Sequence, residues 1–264
     1  MFNRIVYERL RTWANQDNRK PLILRGARQV GKTFAVRQLG EDFACFIELN
    51  MERAADREAF ERELPVEDIF QAIVLRKKAR PVKGKTLLFL DEIQECPAAV
   101  QMLRYFQEDL PDLHVVSAGS LLEIALAKAE IEFPVGRVQH MVMHPLSFEE
   151  YLGAIGEGEA AGLLAATPAP EYAVPHLFDL FHQYALVGGM PEIVAEFART
   201  RDVTALGDIY ESLIQSYLDD IPKYASGETM IRVLDHCIRS APLEAGNRIT
   251  FAGFGNSNYR SREV

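Results

Sequence analysis

The sequence predicts an α/β protein in which a five-stranded parallel sheet is flanked by helices. Two observations support this fold class. Short apolar segments recur along residues 1–145 and alternate with segments of helical periodicity. A glycine-rich segment also joins the first apolar segment to a helical one. Strands that alternate with helices pair in parallel through right-handed crossovers, so these segments are expected to form one sheet.

Five apolar segments are predicted as strands. In chain order they are Leu22–Leu24, Cys45–Leu49, Thr86–Leu90, Leu113–Val116 and Val138–Met143. The third segment is almost purely apolar, which is typical of a strand that is buried on both faces. The sheet is therefore expected to lie between two layers of helices.

Helical periodicity precedes the first strand and separates the later ones. An amphipathic helix is predicted at the start of the chain, because apolar residues recur there at helical spacing. Its apolar positions are Phe2, Val6, Leu10 and Trp13. Pro97 suits the first turn of another helix, which is predicted to run to about Asp109.

The length of the chain and a change of character after Pro145 predict more than one domain. The chain has 264 residues, whereas a typical single domain has roughly 100 to 200. We assign residues 1–145 to the sheet domain and residues 146–222 to a small helical domain that starts at SFEEYL. Within the second, the Gly-, Ala- and Pro-rich stretch Gly153–Pro170 is interpreted as a surface insertion or linker. Residues 223–264 form a third region.

The composition predicts an ordinary globular protein of the cytoplasm. Hydrophobic residues make up 48% of the chain and charged residues 25%, which is enough apolar material for a substantial core. The formal net charge of -9 argues against a surface dominated by nucleic-acid contacts, because such surfaces are basic. Three well-separated cysteines are a poor disulfide framework, which fits a reducing compartment. No apolar run approaches the roughly 18 residues of a membrane span.

The segment GARQVGKT has the pattern G-x-x-x-x-G-K-T between a predicted strand and a predicted helix. This pattern predicts a phosphate-binding loop for ATP, because the glycines let backbone N–H groups turn toward the phosphates and the helix N-terminus adds positive charge. Lys32 is expected to reach the β- and γ-phosphates, and the Thr33 hydroxyl is expected to bind Mg²⁺. The expected nucleotide contacts are Gly26, Ala27, Arg28, Gln29, Val30, Gly31, Lys32, Thr33 and Phe34.

The segment LLFLDEIQ delivers two carboxylates to the end of the third predicted strand. Parallel strands carry their sites at their carboxyl ends, so Asp91 is expected to hold Mg²⁺ beside the loop. Glu92 follows and is expected to accept a proton from the attacking water as a general base. An Asp-Glu pair that ends a strand is otherwise a common solvated cap. The loop upstream favours the catalytic interpretation.

Two further residues are candidates for catalysis, and each has a structural alternative. Ser120 follows the fourth predicted strand and could sense the γ-phosphate, with Ser117 as the second choice, or it could cap a helix. Arg137 precedes the fifth strand and could stabilise charge on the transferred phosphate. It could act in its own subunit or in a neighbour of a homo-oligomer. A surface ion pair is the alternative for Arg137.

Six motifs, in their order along the chain, resemble those of prokaryotic AAA+-like P-loop ATPases with a C-terminal region of unknown function. They are GARQVGKT, LFLDEIQ, SAGSLL, FPVGR, HPLSFEEYL and GGMPEIV, and the resemblance covers nearly the whole chain. It implies a P-loop NTPase core with strand order 5-1-4-3-2, then a helical lid over residues 146–222 and a winged helix from residue 223. A nuclease-like domain would follow.

The resemblance also implies a nucleotide contact from the lid. Gly188, Gly189 and Pro191 match a Gly-x-Pro that packs on the nucleotide in related ATPases, although a break between two helices is the alternative. Similar proteins continue past Val264, so the chain is expected to be truncated within an incomplete winged helix. Gly246–Val264 is then expected to be poorly ordered or irregularly packed.

The leading functional hypothesis is Mg²⁺-dependent hydrolysis of ATP to ADP and phosphate, coupled to conformational switching of the lid and the C-terminal region. An unknown protein client is its expected partner. One alternative is a nucleotide-dependent interaction switch with little turnover. Another is a DNA-associated ATPase, which rests on the winged-helix resemblance and against which the acidic composition counts.

Overall fold

The computed structural model describes residues 2–62, 64–120, 136–164, 166–225, 227–250 and 253–256. The chain divides into two compact units, Met1–Ala198 and Arg199–Val264. The domain boundaries proposed above at residues 145 and 222 stay a prediction.

The first unit is built on the five-stranded sheet. Its strands are β1 (Leu22–Arg25), β2 (Cys45–Asn50), β3 (Thr86–Asp91), β4 (His114–Gly119) and β5 (Gln139–Val142). The order across the sheet is β2-β3-β4-β1-β5, and every pair is parallel. This is the order 5-1-4-3-2 taken from the other edge, so the predicted fold class is confirmed.

Alternation along the strands divides the core into two layers. Leu88 and Leu90 of β3 belong to one apolar cluster, and Leu87 and Phe89 belong to the other. Successive side chains of a strand point to opposite faces, so an apolar run serves both layers. All six residues of β3 are buried, which places its last residue, Asp91, at a buried edge of the sheet.

Helices cover both faces of the sheet. They are α1 (Ile5–Ala14), α2 (Lys32–Gly40), α3 (Ala54–Arg57), α4 (Val66–Lys77) and α5 (Pro97–Asp109). Helix α1 buries Val6, Leu10 and Trp13 together with Tyr7, which confirms an amphipathic helix, but the helix begins at Ile5 and leaves the predicted position Phe2 outside it. Pro97 lies in the first turn of α5, as predicted.

The helices that come next after β5 are α6 (Phe148–Ala154), α7 (Gly158–Leu164), α8 (Val174–Val187) and α9 (Pro191–Thr200). Helix α6 begins with a capping box between Ser147 and Glu150. Helix α7 lies inside the stretch Gly153–Pro170 that the sequence analysis treated as an insertion or linker. The glycines favoured that interpretation, but the alanines and leucines between them are strong helix formers.

The second unit contains the helices α10 (Gly207–Tyr224) and α11 (Glu228–Ser240), with short 3-10 turns at Val203–Leu206, Ala241–Glu244 and Phe254–Asn256. The part of this unit that the structure describes contains no strand, and the winged helix stays a prediction. Of the segment Gly246–Val264, residues 251–252 and 257–264 lie outside the described residues.

His114 is a buried titratable group at the amino end of β4. Its Nε2 lies 3.0 Å from the carbonyl oxygen of Ala14 and therefore carries the proton that this oxygen accepts. The ring packs edge-on against Phe43 at a centroid distance of 4.6 Å. Burial, together with a smaller effect of the charge of Arg19, lowers the pKa of His114 from 6.5 to about 4.

This depressed pKa predicts acid sensitivity of the fold. Between pH 6.5 and about 4 the unfolded chain binds a proton at His114 that the folded protein resists, so the free energy of unfolding falls as the pH falls. We expect a loss of about 2 kcal/mol over this window. In His114→Gln, which cannot titrate, urea unfolding measured across the window should depend less on pH. An unchanged pH dependence would contradict the assignment.

Candidate nucleotide-binding site

The loop between β1 and α2 contains Gly26–Thr33 and has the backbone of a tight turn. Gly26, Gln29 and Gly31 have φ angles of 151°, 62° and 96°. Gly31 is the N-cap of α2, and the first helical hydrogen bond runs from the Ala35 N–H to its carbonyl oxygen at 2.9 Å. The amides of a first helical turn have no acceptor within their own helix, so α2 offers its amino end to an anion.

Position 26 requires glycine for two reasons, its φ angle and the close approach of the Met143 backbone. A Cβ atom at this position would lie 2.2 Å from the carbonyl oxygen of Met143. The amide of Met143 in turn donates to the carbonyl oxygen of Arg25 at 2.8 Å. The start of the loop is thus packed against the residue that follows β5.

Gly26→Ala should therefore destabilise the protein. We expect a loss of at least about 2 kcal/mol in the free energy of unfolding, because neither the φ angle nor the space accepts a methyl group. Gly153→Ala is the matched control, since no atom lies within 4 Å of its Cβ position in helix α6. Urea unfolding should show the control unchanged or slightly stabilised. Equal stability of the two variants would contradict this account.

The side chains of the loop divide into exposed and buried groups. Ala27, Gln29 and Phe34 are exposed, and 46% of Phe34 is accessible to solvent. The side chain of Val30 is fully buried in the core, so this residue can offer a ligand only its backbone. The nucleotide contacts expected of all these residues stay predictions.

The side chain of Lys32 is directed back toward the start of the loop. Its Nζ donates to the carbonyl oxygens of Gly26 at 2.9 Å and Ala27 at 2.8 Å. Burial lowers the pKa of Lys32, while the charges of Glu92 and Asp91 oppose that shift. An ammonium group held between loop carbonyls and two carboxylates suits the phosphate contact predicted for it.

Thr33 and Asp91 meet across 58 positions of sequence. The Thr33 hydroxyl donates to Oδ2 of Asp91 at 2.9 Å. Burial raises the pKa of Asp91 to about 6, and the hydrogen bond from Thr33 limits the rise. A hydroxyl oxygen beside a carboxylate is the donor set that Mg²⁺ takes in P-loop proteins, so these two residues fit the metal predicted for them.

Glu92 directly follows β3 and has a left-handed backbone conformation, so the extended strand ends here. Its φ angle is 51°, and its amide donates to Oδ1 of Asp91 at 3.2 Å. Its carboxylate oxygen Oε2 accepts a hydrogen bond of 2.6 Å from Nε2 of Gln94. This contact was not predicted from the sequence, although Gln94 belongs to the motif LFLDEIQ.

The two serine candidates have different surroundings. Ser117 lies within β4, and its hydroxyl donates to the carbonyl oxygen of Leu22 at 3.3 Å, which is a cross-strand contact. Ser120 follows β4 directly and is 4% exposed. It lies at the carboxyl edge of the sheet, the edge at which β3 delivers Asp91. Residues 121–135, including the rest of SAGSLL and most of FPVGR, lie outside the described residues.

Arg137 forms the surface ion pair that was its alternative interpretation. Its Nη2 lies 3.2 Å from Oε1 of Glu108, and its side chain is 46% exposed. The same oxygen of Glu108 also pairs with Arg104 at 3.1 Å. A contact between Arg137 and a phosphate, in this chain or in a neighbour, stays a prediction.

The Gly188–Pro191 segment joins helices α8 and α9 and packs on the connection that follows β5. Gly188 ends α8 with a φ angle of 72°. Gly189 accepts a hydrogen bond of 2.6 Å from the amide of Leu146, and a Cβ atom at Gly189 would lie 2.3 Å from the Leu146 carbonyl oxygen. The break between helices is therefore present, and the nucleotide contact of Gly189 and Pro191 stays a prediction.

A buried ion pair that sequence reasoning missed connects the loop to helix α6. Arg4 donates to the carbonyl oxygens of Val30 at 3.3 Å and His144 at 2.7 Å. Its Nε lies 3.1 Å from Oε1 of Glu150, and the two side chains are only 6% and 8% exposed. The other oxygen of Glu150 accepts from the amide of Ser147 at 2.8 Å. Arg4 thus holds the loop, the end of the sheet and the start of α6 together.

Removal of one member of this pair should be costly. We expect Arg4→Ala or Glu150→Ala to lower the free energy of unfolding by about 3 kcal/mol, because each leaves a buried charge unpaired. The double variant should lose less than the sum of the two. Arg11→Ala is the control, since Arg11 and Asp42 form an exposed pair at 2.8 Å, which is expected to contribute under about 1 kcal/mol. Additive losses in urea unfolding would contradict the coupling.

The comparison with protein families agrees with this geometry. Residues 18–152, just over half of the chain, match the model of the AAA domain family, so the chain belongs to that family. Residues 178–264 match a domain of unknown function, DUF8612. The protein is therefore a P-loop ATPase of the AAA type with a C-terminal domain of unknown function, and this membership indicates nucleotide binding. None of the curated proteins shows a significant sequence match to the chain.

Solved structures resemble the chain at low sequence identity. The Walker-type ATPase PABY2304 of Pyrococcus abyssi is 18% identical with a TM-score of 0.55, and the match covers 95% of this chain and 86% of that one. This likeness shows a shared fold. C. elegans PCH-2 is 13% identical over 75% of this chain and 62% of that chain, with a TM-score of 0.42. Drosophila ORC bound to DNA is 17% identical over 92% and 67%, also with a TM-score of 0.42.

Within the described residues, none of the helices combines the length and the apolar character that crossing a bilayer requires.

Proposed function

We propose that this protein hydrolyses ATP to ADP and phosphate in a Mg²⁺-dependent reaction. The observation that carries the proposal is the 2.9 Å hydrogen bond between Thr33 and Asp91, formed beside the buried ammonium group of Lys32. Phosphate, metal and water each have a candidate partner at this edge of the sheet.

The loop is proposed to bind the triphosphate. Backbone amides at the start of α2 and the ammonium group of Lys32 would bind the β- and γ-phosphates, and Thr33 with Asp91 would hold Mg²⁺. Bound Mg²⁺ would neutralise part of the phosphate charge. The exposed ring of Phe34 lies one residue beyond Thr33 and is proposed as a further nucleotide contact.

Glu92 is proposed as the general base. It would accept a proton from the water whose oxygen attacks the γ-phosphorus, while ADP leaves with the electrons of the broken bond. Ser120, at the same edge of the sheet, would donate a hydrogen bond to the γ-phosphate. Proton acceptance requires the carboxylate to be held in place, and the hydrogen bond from Gln94 supports that position.

Coupling between the nucleotide and the lid is proposed to pass through Arg4. This side chain binds the carbonyl oxygen of Val30 in the loop and the carboxylate of Glu150 in α6. A change in the loop on loss of the γ-phosphate would therefore act on α6. Gly189 contacts Leu146, just before α6, and would bring the break between α8 and α9 into the same movement.

Two substitutions test the proposed hydrolysis. Lys32→Ala should abolish binding of a fluorescent ATP analogue, because the phosphates lose their main cation. Glu92→Gln should bind the analogue with unchanged affinity and lower phosphate release at least about 100-fold. Arg11→Gln on α1 is a suitable control, because Arg11 lies in the exposed pair with Asp42. Unchanged phosphate release by Glu92→Gln would remove Glu92 as the base.

A nucleotide-dependent switch with little turnover is the second candidate. The observation that favours it is the ion pair of Arg137 with Glu108, which occupies the arginine proposed to assist catalysis. The same experiment separates the two functions. A switch would bind ATP and release phosphate at the same low rate in the wild type and in Glu92→Gln.

A further inference from the structure

The side chain of Gln94 lies between Glu92 and the end of β4. A 3-10 turn, Ile93–Glu95, places it there, and the fully buried side chain of Ile93 anchors that turn. The amide of Glu95 closes the turn on the Glu92 carbonyl oxygen at 3.0 Å. From this turn, Nε2 of Gln94 donates to Oε2 of Glu92 at 2.6 Å.

The other end of the Gln94 amide rests on a glycine. A Cβ atom at Gly119 would lie 2.3 Å from Oε1 of Gln94 and 3.4 Å from its Cδ. Gly119 ends β4 with regular strand pairing to Arg25, and its φ angle lies outside the left-handed region that favours glycine. The backbone therefore does not require glycine at this position. The space that the missing side chain leaves is filled by the amide of Gln94.

We infer that Gln94 is a positioning residue that aligns Glu92 for proton acceptance, an inference that rests on the proposed function. A glutamate side chain has three rotatable bonds, and a base is effective only when a third group orients it. Gln94 binds Oε2 and orients the carboxylate so that Oε1 is the oxygen that meets the water. Gly119 supports this orientation, because the absence of a side chain leaves space for the amide of Gln94.

This arrangement also connects Glu92 to β4. Gly119 directly precedes Ser120, the proposed partner of the γ-phosphate. A shift at the end of β4 would move the contact surface of the Gln94 amide and, through it, the carboxylate of Glu92. The orientation of the Glu92 carboxylate would then depend on the position of the end of β4, where Ser120 is proposed to contact the γ-phosphate.

The first test is Gln94→Met, which keeps the length of the side chain and removes the donor. We expect kcat for phosphate release to fall about 10-fold while the dissociation constant for the ATP analogue stays within about twofold. Gln107→Met is the matched control, because Gln107 is a half-buried glutamine on α5 with a buried Oε1. The control should keep both constants. A Gln94→Met variant with unchanged or higher kcat, or with binding weakened as much as kcat, would overturn the inference.

The second test uses the space at Gly119. Gly119→Ala should lower kcat like Gln94→Met, because its methyl group displaces the amide. In the Gln94→Ala background, where the amide is absent, the same Gly119→Ala change should lower kcat no further. An equal loss in both backgrounds would show that Gly119 acts without Gln94 and would contradict the inference.

A third comparison separates this inference from the proposed function. Gln94→Met should add nothing to the loss caused by Glu92→Gln, since a positioning residue acts only through its base. Full turnover in Glu92→Gln alone would remove Glu92 as the base, whereas no phosphate release by the wild-type protein would overturn the proposed function. Loss of turnover in Glu92→Gln with wild-type kcat in Gln94→Met would leave the proposed function intact and overturn only the role of Gln94.

Discussion

The close approach of the phosphate loop to the end of β5 is the constraint on which the site depends. A Cβ atom at Gly26 would lie 2.2 Å from the Met143 carbonyl oxygen, so the loop can start only from glycine. Leu24 pairs with Ala118 on one side and Met141 on the other, which sets β1 in register with both neighbours. Because parallel strands end at the same edge, this register brings the loop beside the carboxylates of β3.

The charges at this edge are held at a cost to the folded protein. Burial lowers the pKa of Lys32 and raises that of Asp91 to about 6, and both shifts oppose the charged form. Groups with shifted pKa values that lie close together are typical of functional sites. Membership in the AAA domain family indicates that this site binds a nucleotide.

Two side chains extend the site beyond the familiar motifs. Arg4 connects the loop to α6, and Gln94 connects Glu92 to the end of β4. Arg4 and Gln94 both form polar contacts from backbone segments that pack on the apolar core. In their proposed roles, Arg4 connects the loop to helix α6, and Gln94 connects the base to the end of β4.

The sequence by itself determined the strands, the first helices, the loop and the Asp-Glu pair, because each depends on local periodicity or on a contiguous motif such as GARQVGKT. Only the tertiary structure decided the contacts of Arg4, which joins His144 across 140 positions. It also decided the fit of Gln94 against Gly119 and the pairing of Arg137 with Glu108. These contacts could not be predicted, because polar side chains have no periodicity and find their partners only after the core has packed. Helix α7 was missed for a different reason, since a glycine at its start and another within it obscured a short helical pattern.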